Sequence, residues 1–161
     1  PWFFVAVTDK EKRARIANLY RSTFREYIVP AKEAARSPDY PEAKKRNMKA
    51  AIYLAEHLHE TPVLLFIAGW TRRDQPQSQA LFPAIQNILL ACRAVGLGAS
   101  LTTAHRAHGE EIDKLIGLNP ERTPSIAMLP IGWPKGQYGK PARRSIDSCF
   151  FVDSYTGEPL D

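Results

Sequence analysis

Two amide side chains lie in the middle of a predicted helix that is otherwise apolar. Gln86 and Asn87 fall within residues 78–95, where most other positions are apolar. In a buried helix each amide needs a hydrogen-bond partner, which is either the backbone or a bound ligand. Gly96 and Gly98 end this helix, and glycine lets the backbone turn sharply and approach a ligand closely. The pattern fits a ligand-binding helix, and it also fits an ordinary core helix with a glycine cap.

The histidine spacing does not indicate a metal site. His57 and His59 lie about 200° apart around a helix, and His105 and His108 lack a carboxylate or thiolate at matching spacing. There is also no GxGxxG or P-loop motif, and no Ser-His-Asp or Cys-His arrangement is evident. We therefore predict that the chain holds no metal ion and supplies no catalytic nucleophile.

Two adjacent arginines near the C-terminus have two interpretations. Arg143 and Arg144 follow the run Gly139-Lys140-Pro141. A guanidinium group donates two parallel hydrogen bonds, which suits a phosphate group. Adjacent arginines are also common in solvated turns. Of the two, Arg144 is the better candidate for a phosphate contact.

The elements that must position these residues alternate along the chain. Apolar runs without helical spacing predict strands over 3–8, 62–69, 99–103, 125–132 and 149–152. Apolar residues at helical spacing predict helices over 11–27, 42–59, 78–95 and 109–116, with Pro30 ending the first ahead of a short helix over 31–35. We expect the strands over 3–8 and 62–69 to be buried and the helix over 78–95 to be central. This order predicts one mixed α/β domain of the α+β class over residues 1–161.

Composition narrows the possible functions. The 161 residues are 44% hydrophobic and 24% charged, as in an ordinary globular domain. The longest apolar run, 62–70, is about half of a membrane span. The net charge of +5 is spread along the chain among acidic residues, so we predict neither a membrane nor a nucleic acid as partner. Cys92 and Cys149 are expected to be buried thiols, which fits a reducing cytoplasm.

The chain resembles the C-terminal two-thirds of the nitroreductase family in three runs, PAIQNILLACRAVGLGASLTT, AMLPIGWPKG and KPARRS. In that family an apolar helix with Gln-Asn leads to a GLG turn and a short strand. A later strand ends in a Gly-aromatic-Pro loop, and arginines follow a proline near the C-terminus. The runs PWFFVAV and LAEHLHETPV also match. The resemblance covers nearly all of the chain and implies a nitroreductase-like fold, with a central, mostly antiparallel sheet flanked by helices.

The resemblance also implies a cofactor and the residues that contact it. Family members bind FMN non-covalently at a dimer interface, and the segment after the GLG turn passes beside the flavin ring. The matching positions here are Leu101, Thr102, Thr103 and Ala104. A backbone N–H of this stretch is expected to face flavin N5, the atom that receives hydride. Arg143 and Arg144 match the positions that bind the FMN phosphate.

The activity implied by the resemblance is a ping-pong oxidoreductase cycle. NADH or NADPH reduces FMN, and a nitroaromatic, a quinone or a similar small acceptor then takes the electrons. His105 and Arg106 are predicted to shape the substrate side of the pocket. Two alternatives stay open. One is a relative that binds or processes a flavin or other ligand without NAD(P)H reductase activity, and the other is a basic protein that binds nucleic acid.

Both ends of the chain carry expectations. The family's arginine-rich N-terminal segment, which supplies half of the phosphate site, has no counterpart, since the sequence enters a strand just after Pro1. We therefore expect an upstream segment to be missing. The C-terminal extension over 143–161 is expected to reach the partner subunit of a homodimer. Its apolar strand over 149–152 would be exchanged there, with Phe150 and Phe151 as anchors.

Overall fold

The sheet is antiparallel and has β2 and β4 at its centre. The computed structural model describes residues 2–34, 36–38, 40–70, 80–136, 143 and 145–155, and it describes residues 26–31 and 34 by their backbone alone. Within these residues the strands are β1 (Trp2–Val7), β2 (Val63–Gly69), β3 (Gly98–Ala99) and β4 (Ser125–Gly132). Their order is β1-β2-β4-β3, and each neighbouring pair is antiparallel. The predicted α+β fold class is confirmed.

Four helices surround the sheet: α1 (Lys10–Ala34), α2 (Glu42–His57), α3 (Leu81–Ala94) and α4 (Gly109–Leu115). Short 3-10 turns cover Leu58–Glu60, Ala104–His108 and Ile146–Ser148. Asp9 caps α1, because its Oδ1 accepts a 2.8 Å hydrogen bond from the Lys12 N–H. Among the described residues, no helix combines the length and the apolar character needed to cross a membrane.

The predicted break at Pro30 is wrong, because α1 continues through it to Ala34. A proline inside a helix removes one backbone hydrogen bond and crowds the preceding turn. The first turns of α1 are held by burial of Ile16, Ala17 and Tyr20, which are fully enclosed. The part of α1 ahead of Pro30 is thus held by tertiary packing.

Each face of the central strands carries its own hydrophobic cluster. One cluster packs the sheet against α1, α2 and α4 and contains Val7, Ile16, Ala17, Tyr20, Ala55, Leu58, Leu64, Phe66, Ile112 and Met128. The other packs it against α3 and contains Ile67, Leu81, Ile85, Ile126, Ala127 and Leu129. Because successive side chains of a strand point to opposite faces, Phe66 and Ile67 belong to different clusters. The prediction of a central strand buried on both faces is confirmed for β2.

Two predicted burials are wrong. Strand β1 lies at the edge of the sheet, and its Trp2 and Phe4 side chains are 57% and 49% exposed. Helix α3 covers one face of the sheet rather than filling the centre, so Gln86 and Asn87 are exposed and need no buried partner. Both predictions took apolar composition as a sign of full burial, whereas many apolar side chains remain at the surface of a single chain.

The C-terminal strand predicted over 149–152 is also wrong. In the described part of this segment the chain forms the 3-10 turn Ile146–Ser148 and then continues without pairing to a strand. Cys149 is exposed rather than buried, whereas Cys92 is buried as expected. A strand needs a neighbour to accept its backbone hydrogen bonds, and in the described part of the chain no strand pairs with residues 149–152.

Candidate functional site

Helix α3 ends at a tight turn that leads into the candidate site. Gly96 has a φ of +83°, the left-handed region that favours glycine. Its N–H donates to the Arg93 carbonyl over 3.2 Å, and the Leu97 N–H donates to the Cys92 carbonyl over 2.8 Å. This pair of bonds is a Schellman cap, which satisfies the last carbonyls of the helix. The turn directs the chain into β3 and the stretch beyond it.

Residues 101–104 run beside the central strand β4. The Thr102 N–H donates to the Met128 carbonyl over 3.0 Å, and the Thr102 carbonyl accepts from the Met128 N–H over 2.9 Å. This single pairing corrects the prediction of a regular strand over 99–103, since only Gly98–Ala99 is regular. The stretch predicted to pass beside the flavin is therefore attached to the centre of the sheet at one residue.

A buried tyrosine provides a second anchor for this stretch. Tyr20 of α1 is fully enclosed, and its hydroxyl shares a 2.8 Å hydrogen bond with Thr102 Oγ1. The same Oγ1 accepts a 3.3 Å hydrogen bond from the Ala104 N–H. Burial raises the pKa of Tyr20, and the hydrogen bond with Thr102 opposes that rise, so the hydroxyl is neutral at physiological pH. Thr102 is thus fixed through both its backbone and its side chain.

Two backbone donors of the stretch are left without a partner. The N–H groups of Thr102 and Ala104 are bonded as described, whereas those of Leu101 and Thr103 have no acceptor in the part of the chain that the structure describes. Both Leu101 and Thr103 are exposed. A ligand that accepts hydrogen bonds can therefore bind here without breaking an internal bond.

An open cleft of about 700 Å³ borders these donors. It is lined by Thr23, Phe24, Leu101, Thr102, Thr103, Ala104, Arg106 and Ala107. The Phe24 ring packs on the Tyr20 ring, with 5.0 Å between the centroids. All four residues predicted to contact the flavin ring therefore meet in one cleft, together with Arg106. The volume lies within the range of small-molecule sites in proteins.

His105 does not line this cleft, and the prediction that it shapes the substrate side is corrected. Its side chain is fully buried, with its ring edge-on to that of Phe66 at 5.5 Å between centroids. Burial, and secondarily the positive charge of Arg106, lower the pKa of His105 from 6.5 to about 4. The imidazole is therefore neutral at physiological pH and faces the core.

His105 belongs to a buried chain of polar groups that the sequence did not reveal. The Ser125 hydroxyl donates to Asp113 Oδ1 over 2.5 Å, and His105 Nε2 lies 3.2 Å from the same hydroxyl oxygen. The Ser125 N–H also donates to the Asp113 carboxylate. Since the hydroxyl proton goes to Asp113, His105 Nε2 is the donor to Ser125 and Nδ1, which has no partner in the described residues, is unprotonated.

This chain of bonds joins the turn after residues 101–104 to β4 and α4. Burial raises the pKa of Asp113, and its hydrogen bonds to Ser125 oppose the rise. Asp113 and Ser125 also border a second, more polar cleft of about 610 Å³, and Arg106 lies on the wall of both clefts. Along the chain Ser125 lies 12 positions from Asp113 and 20 positions from His105, so no motif spacing indicates that the three residues meet.

The predicted phosphate residues are not brought to the cleft by the described structure. Arg143 is exposed and is not among the residues that line the cleft. Arg144 lies outside the described residues. Within the described residues, no group of three His, Cys, Asp or Glu side chains is placed to hold a metal ion.

Comparison with protein families matches residues 1–133 to the nitroreductase family. No curated protein matches the sequence. Solved structures of the same fold include an iodotyrosine deiodinase bound to FMN and 3-iodo-L-tyrosine, with a TM-score of 0.71 and 21% identity over 96% of this chain and 77% of that chain.

Two nitroreductase structures have the same fold. The putative NADH dehydrogenase/NAD(P)H nitroreductase of Bacteroides thetaiotaomicron VPI-5482 has a TM-score of 0.64 and 22% identity, over 94% of this chain and 72% of that chain. The FMN and NADPH-dependent nitroreductase NfnB of Sphigopyxis sp. strain HMH has a TM-score of 0.61 and 14% identity, over 96% of this chain and 81% of that chain. At these identities the likeness shows a shared fold.

Proposed function

The chain belongs to the nitroreductase family, and on that premise we propose that it is an FMN-dependent oxidoreductase. In this proposal NADH or NADPH reduces the flavin, and a nitroaromatic, a quinone or a similar small acceptor then takes the electrons in a ping-pong cycle. One observation carries the proposal. The stretch over 101–104 is fixed by Thr102, and at an open cleft it presents two backbone donors that have no acceptor among the described residues.

The residues around the cleft suit a flavin ring. Phe24 and Leu101 offer apolar surface to a flat conjugated ring, and the Leu101 and Thr103 N–H groups have no acceptor in the described chain. Flavin rings carry several acceptor atoms, and hydrogen bonds to them tune the cofactor. When bound, FMN supplies the hydride chemistry itself, which fits a site without a nucleophilic side chain.

The protein's own part in this proposal is to position and bind. The sequence alone predicts that one of the four backbone N–H groups over 101–104 donates to flavin N5, and it does not indicate which. Since those of Thr102 and Ala104 are already bonded, we assign this role to Leu101 or Thr103. The anchors on Met128 and Tyr20 hold these donors in place. Arg143 and Arg144 remain our proposed contacts for the FMN phosphate, on the strength of the sequence resemblance.

An absorption spectrum with added FMN tests the proposal. We expect flavin bands that stay with the protein through gel filtration and bleach anaerobically with NADPH or NADH. Reoxidation of the bleached protein by a nitroaromatic or quinone completes the expected cycle. Retained flavin that neither nucleotide bleaches would favour the relative without NAD(P)H reductase activity. Protein that carries the expected upstream segment, with its half of the phosphate site, and still fails to retain FMN would contradict the proposal.

We also propose that the protein is a homodimer in which α3 contributes to the interface. Phe82, Gln86 and Leu90 lie four positions apart and so share one face of α3. Phe82 and Leu90 are 46% and 58% exposed, and Trp2 and Phe4 of the edge strand β1 add further exposed apolar surface. Large exposed apolar side chains clustered on a surface are typical of a protein interface. Exchange of the extension over 143–161 with the partner is part of this proposal.

Sedimentation equilibrium tests the dimer. We expect a mass of twice 18.1 kDa for this chain, and removal of residues 145–161 is expected to shift the mass towards the monomer. A monomer at micromolar concentration would contradict the dimer. An unchanged dimer after truncation would contradict only the role of the extension.

We place the protein in the cytoplasm because its thiols suit a reducing compartment. Cys92 and Cys149 are both free, the first buried and the second exposed. Exposed unpaired thiols are more common in cytosolic than in secreted proteins.

A further inference from the structure

Arg106 is the one charged side chain in the described wall of the cleft beside residues 101–104. The remaining lining residues are threonine, alanine, phenylalanine and leucine. Arg106 is exposed, and its guanidinium makes no hydrogen bond or ion pair with any residue that the structure describes. A single positive charge thus stands on an otherwise neutral and largely apolar wall.

The acidic residues that follow Arg106 in the sequence are bonded to other groups. Glu110 pairs with Lys114 at 2.5 Å, and Glu111 pairs with Arg15 at 2.9 Å. Asp113 accepts the hydrogen bonds of Ser125. None of these acids forms an ion pair with Arg106.

We infer that Arg106 binds an oxyanion group, a carboxylate or phosphate, on the substrate that occupies the cleft. This inference rests on the proposed function and specifies the substrate class for the same site. A guanidinium donates two parallel hydrogen bonds to such a group. The preferred acceptor is accordingly an aromatic electrophile that carries an acidic substituent.

In a cycle of this kind two substrates carry a suitable oxyanion group. One is a carboxylate on the electron acceptor, and the other is the additional phosphate that distinguishes NADPH from NADH. Both substrates of a ping-pong cycle use the same cleft in turn. Arg106 therefore sets acceptor specificity in the first case and nucleotide preference in the second.

The inference is tested with two pairs of ligands whose members differ in one anionic group. 4-Nitrobenzoate and neutral 4-nitrobenzamide are titrated into the FMN-loaded protein by calorimetry, and NADPH is compared with NADH by KM. The variants are Arg106→Gln and Arg106→Lys. Arg46→Gln is the matched control, because Arg46 is exposed on α2 and is absent from the walls of both clefts described above.

Arg106→Gln is expected to weaken binding of the pair member that carries the additional anionic group by about tenfold, equivalent to about 1.4 kcal/mol, and to leave the other member unchanged. Arg106→Lys should restore part of the loss. A loss confined to 4-nitrobenzoate identifies the acceptor's carboxylate, and a loss confined to NADPH identifies the nucleotide's phosphate. Equal effects on both members, or the same loss in Arg46→Gln, would overturn the inference. Calorimetry of the 4-nitrobenzoate and 4-nitrobenzamide pair reports binding whether or not the nucleotides bleach the flavin, so a failed reductase proposal is recognised separately.

Discussion

Acidification from about pH 7 to about pH 4 is expected to lower the free energy of unfolding by about 3 kcal/mol through one side chain, His105. Burial lowers the pKa of this imidazole from 6.5 to about 4 in the folded protein. Because the unfolded chain takes up the proton more readily, the contribution of His105 to stability is fully present above pH 6.5. It is lost as the pH falls towards the folded pKa of about 4.

Asp113 opposes this loss in part. Burial raises the pKa of its carboxyl above the ordinary value of 3.8. Its protonation on acidification is therefore more favourable in the folded chain than in the unfolded chain, which adds stability at low pH. The net decrease in the wild-type protein is the His105 contribution reduced by that of Asp113.

Denaturant unfolding at a series of pH values measures the effect. His105→Gln retains an amide donor for Ser125 but does not titrate, so the decrease between about pH 6.5 and pH 4 is expected to shrink by most of the 3 kcal/mol. His59→Gln serves as the control, because the His59 side chain is exposed rather than buried. If His105→Gln kept the full acid sensitivity, the buried imidazole would not be its cause.

Much of the fold was predictable because the strongest local patterns coincide with tertiary burial. The strand β4 occupies the predicted residues 125–132, and β2 lies within 62–69. The glycine cap after α3 was predictable from Gly96. Pro30 and the segment over 149–152 were not, since their conformation depends on contacts made elsewhere. An apolar pattern indicates that one face of a helix or strand packs against other apolar groups. It does not show whether those groups belong to the same chain or to a partner.

The candidate site was predictable only along its continuous stretch. The residues 101–104 follow a family pattern in order, and they meet in one cleft. The groups that hold the stretch come from distant parts of the chain: 82 residues separate Tyr20 from Thr102. Tyr20 lies at an apolar helical position and is indistinguishable there from a core tyrosine. Its hydroxyl acquires a role only once α1 packs against the sheet.

The replacement Thr102→Val is expected to destabilise the fold by about 2 kcal/mol, because it leaves two polar groups without their hydrogen-bond partner. The buried Tyr20 hydroxyl loses its 2.8 Å partner, and the Ala104 N–H loses its 3.3 Å partner. Valine matches threonine in shape, so the backbone pairing with Met128 remains and the loss is one of hydrogen bonds. Thr103→Val is the matched control, since the exposed Thr103 hydroxyl makes no described hydrogen bond, and its effect should stay within about 0.5 kcal/mol.

A double-mutant cycle with Tyr20→Phe separates the shared bond from other effects of each change. Removing both partners of a buried hydrogen bond lowers the free energy of unfolding by less than the sum of the two single removals. We therefore expect the double variant to be more stable than the sum of the single effects predicts, by about 1 kcal/mol. FMN affinity of the single and double variants reports whether this bond also positions the two unbonded donors. Strictly additive unfolding energies would show that Tyr20 and Thr102 are not coupled, and the stretch over 101–104 would then be held by Met128 alone.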